Sequence, residues 1–327
     1  MNTNHRDSDR RQFLRTLLRV GGLSAVSVGA GAWLKTRSRR PVEPTASVVR
    51  RRQFVAASPS LPDLAVTRGE SPRALVRGAV DVLGGIGRFV SRGDIVVVKP
   101  NIGWDRAPEF GATTNPEVVA EVVRMCREAG AGQVIVTDMS CNDSRASFER
   151  SGIAAAAAGA GATVILPEPR RFKSVDLRGE VLTEWPVLEP LLTADKVINV
   201  AIAKHHSLTA VTLGMKNWYG IIGGQRNRLH QRIDESLVDL TAFVAPALTI
   251  IDAYRVLMRN GPTGGSPADV ELRKTLIAGI DPVAADAWVA KAFFDLDPPQ
   301  LSFLRLGEAR KLGTLSIDPA RVGERAV

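Results

Sequence analysis

Cysteine is scarce in this 327-residue chain, which contains only Cys126 and Cys141. Two cysteines cannot supply a network of disulfides, a four-cysteine zinc site or the ligands of an iron–sulfur cluster within this chain. Long hydrophobic runs are also missing, since the best candidate, between Arg19 and Lys35, holds 15 uncharged residues rich in Gly, Ala and Ser. A membrane-spanning helix needs about 20 strongly apolar residues, so we expect no multi-span membrane protein.

The body of the chain has no net charge, although the whole sequence has a net charge of +9. Residues 1–52 hold 12 of the 43 Lys and Arg and only 3 of the 34 Asp and Glu. Residues 53–327 therefore hold 31 charged residues of each sign. Because a nucleic-acid-binding domain is expected to present a basic surface, we predict no nucleic-acid partner.

The N-terminal segment is typical of an export signal. Residues 9–15 read DRRQFLR, and the short apolar stretch follows them. This order predicts a twin-arginine signal peptide over residues 1–34, with a small-residue cleavage site that ends at Ala32, and a basic, proline-containing linker over residues 35–62. We therefore expect the twin-arginine translocase as a partner during export and an extracytoplasmic location in the periplasm or cell envelope. A leader that is not cleaved would leave the protein tethered to the membrane.

Six short apolar runs predict the strands of a parallel sheet. Their apolar residues are continuous rather than alternating, as in strands that are covered on both faces. We therefore predict an α/β fold with a doubly wound, mostly parallel sheet and helices on both faces. The predicted strands are Ile95–Val98, Val134–Thr137, Thr163–Leu166, Val197–Ala203, Leu248–Ile251 and Thr275–Ala278.

Helical segments separate these runs. One helix is predicted to begin at Pro116, behind a cap at Asn115, and to stop at Gly130. Its apolar face includes Cys126, which we therefore expect to be buried. The α/β domain is predicted over residues 63–327, with two lobes, about 63–170 and 171–327, as the alternative.

Polar residues follow five of the predicted strands. The carboxyl ends of parallel strands meet at one edge of the sheet, where open α/β folds bind their ligands, so we expect these residues to converge. Lysines and carboxylates placed together can hold an anion and exchange protons. The five residues are Lys99, Asp138, Lys204, Asp252 and Asp281.

Three of the four histidines fall within 26 residues: His205, His206 and His230. Neighbouring side chains on an extended segment point to opposite faces, so we expect only one of the first two in the site, and we favour His205. His205, His230 and Asp281 are the candidate ligands of a divalent metal. No His-x-x-x-His or paired-cysteine spacing occurs, so such a metal site would combine distant segments.

The densest group of glycines and polar residues is GMKNWYGIIGGQR, residues 214–226. Glycines let backbone amides approach a ligand, while Lys216 and Arg226 add positive charge and Asn217 adds fixed donors, which suits a phosphate or carboxylate. The segment lacks the GxxxxGK[ST] pattern, and no GxGxxG follows the first strands, so neither a nucleoside triphosphatase nor an ordinary dinucleotide-binding fold is expected. The alternative is a glycine-rich turn that packs Trp218 and Tyr219 in the core.

Six separated pieces of the chain, taken in order, resemble the domain-of-unknown-function 362 family. They read VVVKPNIG, TTNPEVVAEVV, EAGAGQVIVTD, KHHSLTAVTLGMKNWYG, NGPTGG and AGIDPVAADA. The resemblance covers about residues 63–295 and implies no particular reaction. Many members of that family carry appended cluster-binding ferredoxin segments, which are absent from this sequence. The residues that the family pattern highlights are Lys99, Asn101, Lys204, His205, Lys216, Asn217, His230, Asp252, Asn260, Asp281 and Asp286.

These observations together predict an exported enzyme that acts on a small anionic substrate, a carboxylate or a phosphate, with a divalent metal as an optional cofactor. Cations beside the imidazoles should lower the pKa values of the histidines and keep them neutral near pH 7. The alternative is a non-catalytic accessory protein that binds a metal or an anion for a redox partner. The predicted catalytic residues are His205, His230, Lys216 and Asp252. The predicted substrate-binding residues are Lys99, Asn101, Lys204, Asn217, Asn260 and Gly261.

Overall fold

The computed structural model describes residues 49–50 and 52–327, so the predicted signal peptide and most of the predicted linker lie outside the described residues. The described end of the linker contains no helix or strand. Arg52 attaches it to the body, because its guanidinium donates hydrogen bonds to the carbonyl oxygens of Leu191 at 2.8 Å and Val244 at 2.9 Å. Within the described part of the chain, no helix has the length and apolarity needed to cross a membrane.

The described residues form eleven strands and nine α-helices. The strands are β1 (Leu64–Arg68), β2 (Ile95–Pro100), β3 (Gln133–Val136), β4 (Thr163–Val164), β5 (Phe172–Asp176), β6 (Glu184–Leu188), β7 (Lys196–His206), β8 (Ala210–Thr212), β9 (Leu248–Leu257), β10 (Val270–Gly279) and β11 (Val322–Ala326). The helices are α1 (Pro72–Val82), α2 (Pro116–Glu128), α3 (Ser144–Arg150), α4 (Ile153–Gly159), α5 (Glu189–Thr193), α6 (Gly214–Asn217), α7 (Ile233–Val244), α8 (Pro282–Phe294) and α9 (Ser302–Ala309).

One nine-stranded sheet organises the described part of the chain. Its order is β11-β1-β10-β9-β7-β2-β3-β4, and β8 pairs with the end of β7. The five strands from β9 to β4 are parallel, whereas β10 runs antiparallel to both of its neighbours. All six predicted strands are present. Because β1 inserts between β10 and β11, strands from both halves of the chain share the sheet.

Helices cover both faces of the sheet because successive residues of its strands face opposite sides. Val96 and Val98 of β2 pack with residues of α1, α2, α3 and α4 on one face. Val97, between them, packs on the other face with the β5–β6 hairpin and α5, and α7, α8 and α9 cover the rest of that face. The predicted mostly parallel, doubly wound architecture is thus confirmed.

The helix that precedes β3 begins and ends as its sequence predicts. The side chain of Asn115 accepts a hydrogen bond from the backbone N–H of Glu117 at 3.0 Å, and Pro116 occupies the first turn. Gly130 follows the helix with a φ of 85°, a conformation that favours glycine. Cys126 is fully buried on the apolar face of α2, as predicted. This helix begins next to the polar edge of the sheet and so helps to position that edge.

Candidate functional site

A cavity of about 460 Å³ lies beyond the carboxyl ends of β2, β3 and β7. It forms because β7 is longer than β2: Lys99 pairs with Asn199, so Lys204 lies beyond the end of β2, where β8 pairs with β7. The cavity brings together residues that are far apart in sequence. Of the residues that the sequence analysis expected at the site, those that line it are Lys99, Asn101, Asp138, Lys204, Lys216, Asn217 and His230.

The base of the cavity is a buried ion pair within a hydrogen-bond network. The Nζ atom of Lys99 lies 2.7 Å from Oδ1 of Asp138 and donates to Oδ1 of Asn217 at 2.8 Å. Asn217 in turn donates to Oδ1 of Asn199 at 2.8 Å, and Asn101 donates to Asn217 at 3.1 Å. Burial lowers the pKa of Lys99, an effect that the charge of Asp138 opposes. This network fixes the base of the cavity, where the charge of Lys99 neutralises the charge of Asp138.

Two further lysines lack the carboxylate partner that Lys99 has. Lys204 is 1% exposed, and its Nζ donates to Oδ1 of Asn101 at 3.2 Å and to the carbonyl oxygen of Ala112 at 2.5 Å. Lys216 is 7% exposed, and among the described residues its Nζ has neither a hydrogen bond nor an ion pair; it lies 5.3 Å from the centroid of the Tyr219 ring. Burial lowers the pKa of Lys204 to about 7 and that of Lys216 to about 8. Both amines therefore titrate near physiological pH.

Asp286 of α8 holds the short helix that carries Lys216. Its two carboxylate oxygens accept hydrogen bonds from the backbone N–H groups of Gly214 at 2.7 Å and Met215 at 2.9 Å. Asp286 is fully buried, and burial raises its pKa to about 7. Of the two roles that its sequence position allows, lining the site or complementing a helix end, the structure shows the second, on α6 rather than on its own helix.

Two imidazoles line the cavity, and both are held neutral. Nδ1 of His206 accepts a hydrogen bond from the backbone N–H of Leu208 at 3.0 Å, so the neutral ring carries its proton on Nε2. Burial, followed by the charges of Lys216 and Lys204, lowers the pKa of His206 to about 3. Burial and the charge of Lys216 also lower the pKa of His230, whose ring stacks on Tyr219 with centroids 5.6 Å apart.

Arg226 joins two loops into one cavity wall. Its guanidinium donates to the carbonyl oxygens of Met139 at 3.3 Å and Ser140 at 3.1 Å, in the loop after β3. The hydroxyl of Tyr219 donates to the carbonyl oxygen of Arg226, which ties the segment after α6 to the same wall. Thr212 also lines the cavity, and its buried Oγ1 has no hydrogen-bond partner in the described part of the chain.

Tyr219 and Thr212 were not predicted as site residues, whereas Arg226 was expected to add positive charge to the glycine-rich segment. Tyr219 and Arg226 lie in the glycine-rich segment, whose alternative interpretation placed Trp218 and Tyr219 in the core. Trp218 is fully buried, whereas Tyr219 lines the cavity, so each interpretation holds for one of the two aromatic residues. Thr212 carries no sequence signal that distinguishes it from other strand threonines.

The preference for His205 over His206 requires correction. His206 lines the cavity, as does Lys204, because alternate residues of β7 share a face. His205 points elsewhere, and its Nδ1 accepts a hydrogen bond from the backbone N–H of Gly261 at 3.2 Å. Asn260 donates to Oδ2 of Asp269 at 2.8 Å. Neither Asn260 nor Gly261 lines the cavity. From this turn, Pro262 is the residue that reaches the cavity.

Asp252 and Asp281 also lie outside the cavity. Asp252 is buried within β9 rather than at its end, and accepts hydrogen bonds from the backbone N–H groups of Asn115 at 2.8 Å and Tyr254 at 2.9 Å. Burial raises its pKa to about 6. Asp281 follows β10, which runs antiparallel to β9, and therefore lies at the opposite edge of the sheet, where its Oδ1 accepts from the N–H of Ala284 in the first turn of α8 at 2.8 Å.

The residues predicted to bind a divalent metal do not fit one. His230 lines the cavity, but His205 faces away from it and Asp281 lies at the other edge of the sheet. Among residues 49–50 and 52–327, no group of three or more His, Cys, Asp or Glu side chains is arranged to hold a metal ion. The described side chains instead supply lysines, neutral imidazoles and amides.

Comparison with known proteins assigns the chain to a family. The family model described as a domain of unknown function, DUF362, matches residues 96–291, which include every residue of the cavity named above. The chain belongs to the DUF362 family. The match confirms the resemblance carried by the six sequence pieces, and it places the cavity within the DUF362 domain.

Three individual proteins that resemble this chain are each less than 30% identical to it. The thylakoid-associated protein sll1697 of Synechocystis sp. is 29% identical over 240 residues, which are 69% of this chain and 70% of that protein. The lactate racemase apoprotein of Thermoanaerobacterium thermosaccharolyticum is 11% identical with a TM-score of 0.41, over 69% of this chain and 56% of the racemase chain. A Thermotoga maritima protein of known structure is 12% identical with a TM-score of 0.33, over 73% of this chain and 59% of its own. The chain thus spans less than two thirds of either solved chain, and likeness at this level assigns no function.

Proposed function

We propose that this protein is an enzyme that acts on a small anion, a carboxylate or a phosphate, bound in the cavity beyond β2, β3 and β7. The observation that carries the proposal is the charge of the cavity lining. The acidic side chain in this lining is Asp138, and Lys99 neutralises it, which leaves Lys204, Lys216 and Arg226 uncompensated by any described carboxylate in the cavity. Buried positive charge of this kind is costly unless a ligand neutralises it.

The donors that face the cavity suit an anion. Lys204, the Nε2–H of His206 and the unpartnered Oγ1 of Thr212 would donate hydrogen bonds to its oxygens. A buried site also makes these charge-assisted bonds stronger than the same bonds in water. Specific recognition of a small carboxylate or phosphate is therefore within the capacity of this lining.

Lys216 and His230 would act as the acid–base pair. The pKa of Lys216, lowered to about 8, allows its amine to give or take a proton near neutral pH. The pKa of His230 is also lowered, so its imidazole is a neutral base at pH 7. The two groups would move protons on a substrate that Lys204 and His206 hold.

Ligand-induced thermal stabilisation tests the proposal. Pyruvate, lactate and phosphate are added separately to the full chain, and at least one is expected to raise the melting temperature and to bind in calorimetry. Lys216→Ala should weaken that binding about tenfold or more, because a hydrogen bond to a charged group contributes about 1.5–3 kcal/mol. The matched control is Lys291→Ala, which removes an exposed lysine of α8 and should leave binding unchanged.

The outcomes separate three cases. Binding that is lost in Lys216→Ala and accompanied by turnover of the bound anion supports the enzyme. Binding without turnover of any tested anion would instead support the alternative of a non-catalytic anion-binding protein. If none of the three anions binds, or if Lys216→Ala and His230→Ala unfold like core variants, the anion site is wrong.

We also propose that the protein is exported by the twin-arginine pathway. The proposal is supported by the DRRQFLR sequence, and by the Synechocystis relative, which is named as a thylakoid-associated protein. A reporter fused after residue 62 should be exported, and the joint change Arg10→Lys and Arg11→Lys should retain it inside the cell. Export that persists in this double variant would contradict the twin-arginine pathway.

A further inference from the structure

Lys216 differs from the other two cavity lysines in having no protein acceptor. Lys99 pairs with Asp138, and Lys204 donates to Asn101 and to the carbonyl oxygen of Ala112. Burial lowers the pKa of Lys204 to about 7, and its two acceptors hold its nitrogen in place, so this nitrogen is not free to attack a bound molecule. Among the described residues, the Nζ of Lys216 makes no hydrogen bond or ion pair and lies 5.3 Å from the centroid of the Tyr219 ring, so its amine is available to a molecule in the cavity.

The surroundings of Lys216 bring its neutral amine within reach of pH 8. The side chain is 7% exposed, and burial lowers its pKa to about 8 against the opposing charge of Asp234. A desolvated lysine near other cationic groups is the usual form of a nucleophilic amine. Because α6 is anchored by the two hydrogen bonds from Asp286, the position of this amine is fixed before any ligand enters.

The rest of the lining determines which electrophile would fit. The positive groups select a molecule with a carboxylate, and the Nε2–H of His206 supplies a donor for a second oxygen. A carbonyl carbon next to a carboxylate combines both requirements. The cavity of about 460 Å³ accommodates a molecule of this size.

We propose that Lys216 forms an imine with the carbonyl carbon of a small 2-oxo acid. The neutral amine attacks the carbonyl carbon, a proton moves from nitrogen to the former carbonyl oxygen, and a carbinolamine forms. Loss of that hydroxyl with the second amine proton releases one water and leaves a carbon–nitrogen double bond. His230, a neutral base that lines the same cavity, would carry the protons between nitrogen and oxygen. This inference rests on the proposed anion site.

Borohydride reduction tests the imine directly. The full chain is incubated with pyruvate as the probe and then with sodium borohydride, which reduces an imine to a stable secondary amine. Peptide mass spectrometry should locate one reduced pyruvate adduct on Lys216. The adduct should be lost in Lys216→Arg, which keeps the positive charge but removes the nucleophile, and retained in Lys291→Arg.

The two proposals fail in different ways. If pyruvate raises the melting temperature but no adduct forms, or the adduct lies on Lys204 or persists in Lys216→Arg, the imine is wrong and the anion site stands. If neither pyruvate, lactate nor phosphate raises the melting temperature, the anion site itself is wrong. If Lys216→Arg still binds pyruvate but forms no adduct, anion binding and imine formation are separate functions of the cavity.

Discussion

The buried carboxylates and the buried lysines of this protein have opposite surroundings. Asp239, Asp252 and Asp286 each accept two or more hydrogen bonds from backbone N–H groups. Lys204 and Lys216, in contrast, face the cavity, where the charges of Asp138 and Asp234 act on them without forming an ion pair. The acids therefore secure loops and helix ends, whereas the lysines keep positive charge available to a ligand. Burial of a charged residue therefore does not by itself mark a functional site. A functional site is indicated where the buried group lacks hydrogen-bond or ion-pair partners within the protein.

Asp239→Ala should cause the largest loss of stability and leave the cavity intact. It removes the acceptor of the backbone N–H groups of Glu180, Val181 and Leu182 and the ion-pair partner of Arg310. We expect the free energy of unfolding to fall by about 3–5 kcal/mol, measured by urea denaturation. Anion affinity of the folded protein should stay unchanged, since Asp239 does not line the cavity. A matching loss of affinity would contradict the division between structural acids and ligand-facing lysines.

Lys204→Met should remove a pH dependence of stability. The pKa of Lys204 is about 7 in the folded state and 10.5 without burial, so between these values the unfolded chain binds more protons and stability rises with pH. Relative to Lys204→Met, the wild type should therefore gain several kcal/mol from pH 7 to pH 10, at about 1.4 kcal/mol for each pKa unit. Chemical denaturation at stepped pH measures the difference. A difference that stays flat over this range would mean that folding does not lower the pKa of Lys204 and that the buried amine keeps its charge.

Gly220→Ala should disrupt the ion pair of Lys99 and Asp138 at the base of the cavity. A Cβ at Gly220 would lie 1.9 Å from Oδ1 of Asp138 and 2.7 Å from Nζ of Lys99, so the ion pair would have to separate. We expect a loss of about 1–3 kcal/mol in the free energy of unfolding together with weaker anion binding. Gly87→Ala is the matched control, because no atom lies within 4 Å of its Cβ position. Equal effects of the two changes would argue against the close approach at Gly220.

Lys216→Met should have the smallest effect on stability. Its Nζ makes no hydrogen bond or ion pair with a described residue, so the change breaks no bond and removes a poorly solvated charge. The free energy of unfolding at pH 7 should remain within about 1 kcal/mol of the wild-type value. Thermal and urea denaturation provide the measurement. A drop as large as that of Asp239→Ala would show that Lys216 supports the fold rather than a ligand.

The central part of the site was predictable because it depends on parallel strands. Lys99, Asp138 and Lys204 follow or extend β2, β3 and β7, whose continuous apolar runs identify them as neighbours in a covered sheet. The helix cap at Asn115 acts over a few residues, so the bounds of α2 were also accessible from local patterns.

The remaining errors come from strand direction and strand face. An apolar run does not show whether a strand is parallel, so Asp281 was assigned to the wrong edge of the sheet when β10 proved antiparallel. The alternation of His205 and His206 shows that they face opposite sides but not which side meets the cavity. Asp286 acts on a helix about seventy positions earlier in the chain, and no local pattern reveals such a contact.

The low pKa values of the cavity lysines connect ligand capture with the proton balance of the surrounding solution. An anion that settles beside Lys204 or Lys216 favours the ammonium form and raises the pKa of that amine. Near pH 8, complex formation should therefore withdraw protons from the buffer, and the heat observed in calorimetry should vary with the ionisation enthalpy of the buffer chosen. Alkaline conditions would then release the ligand, so the local acidity of the compartment sets how fully the protein is loaded.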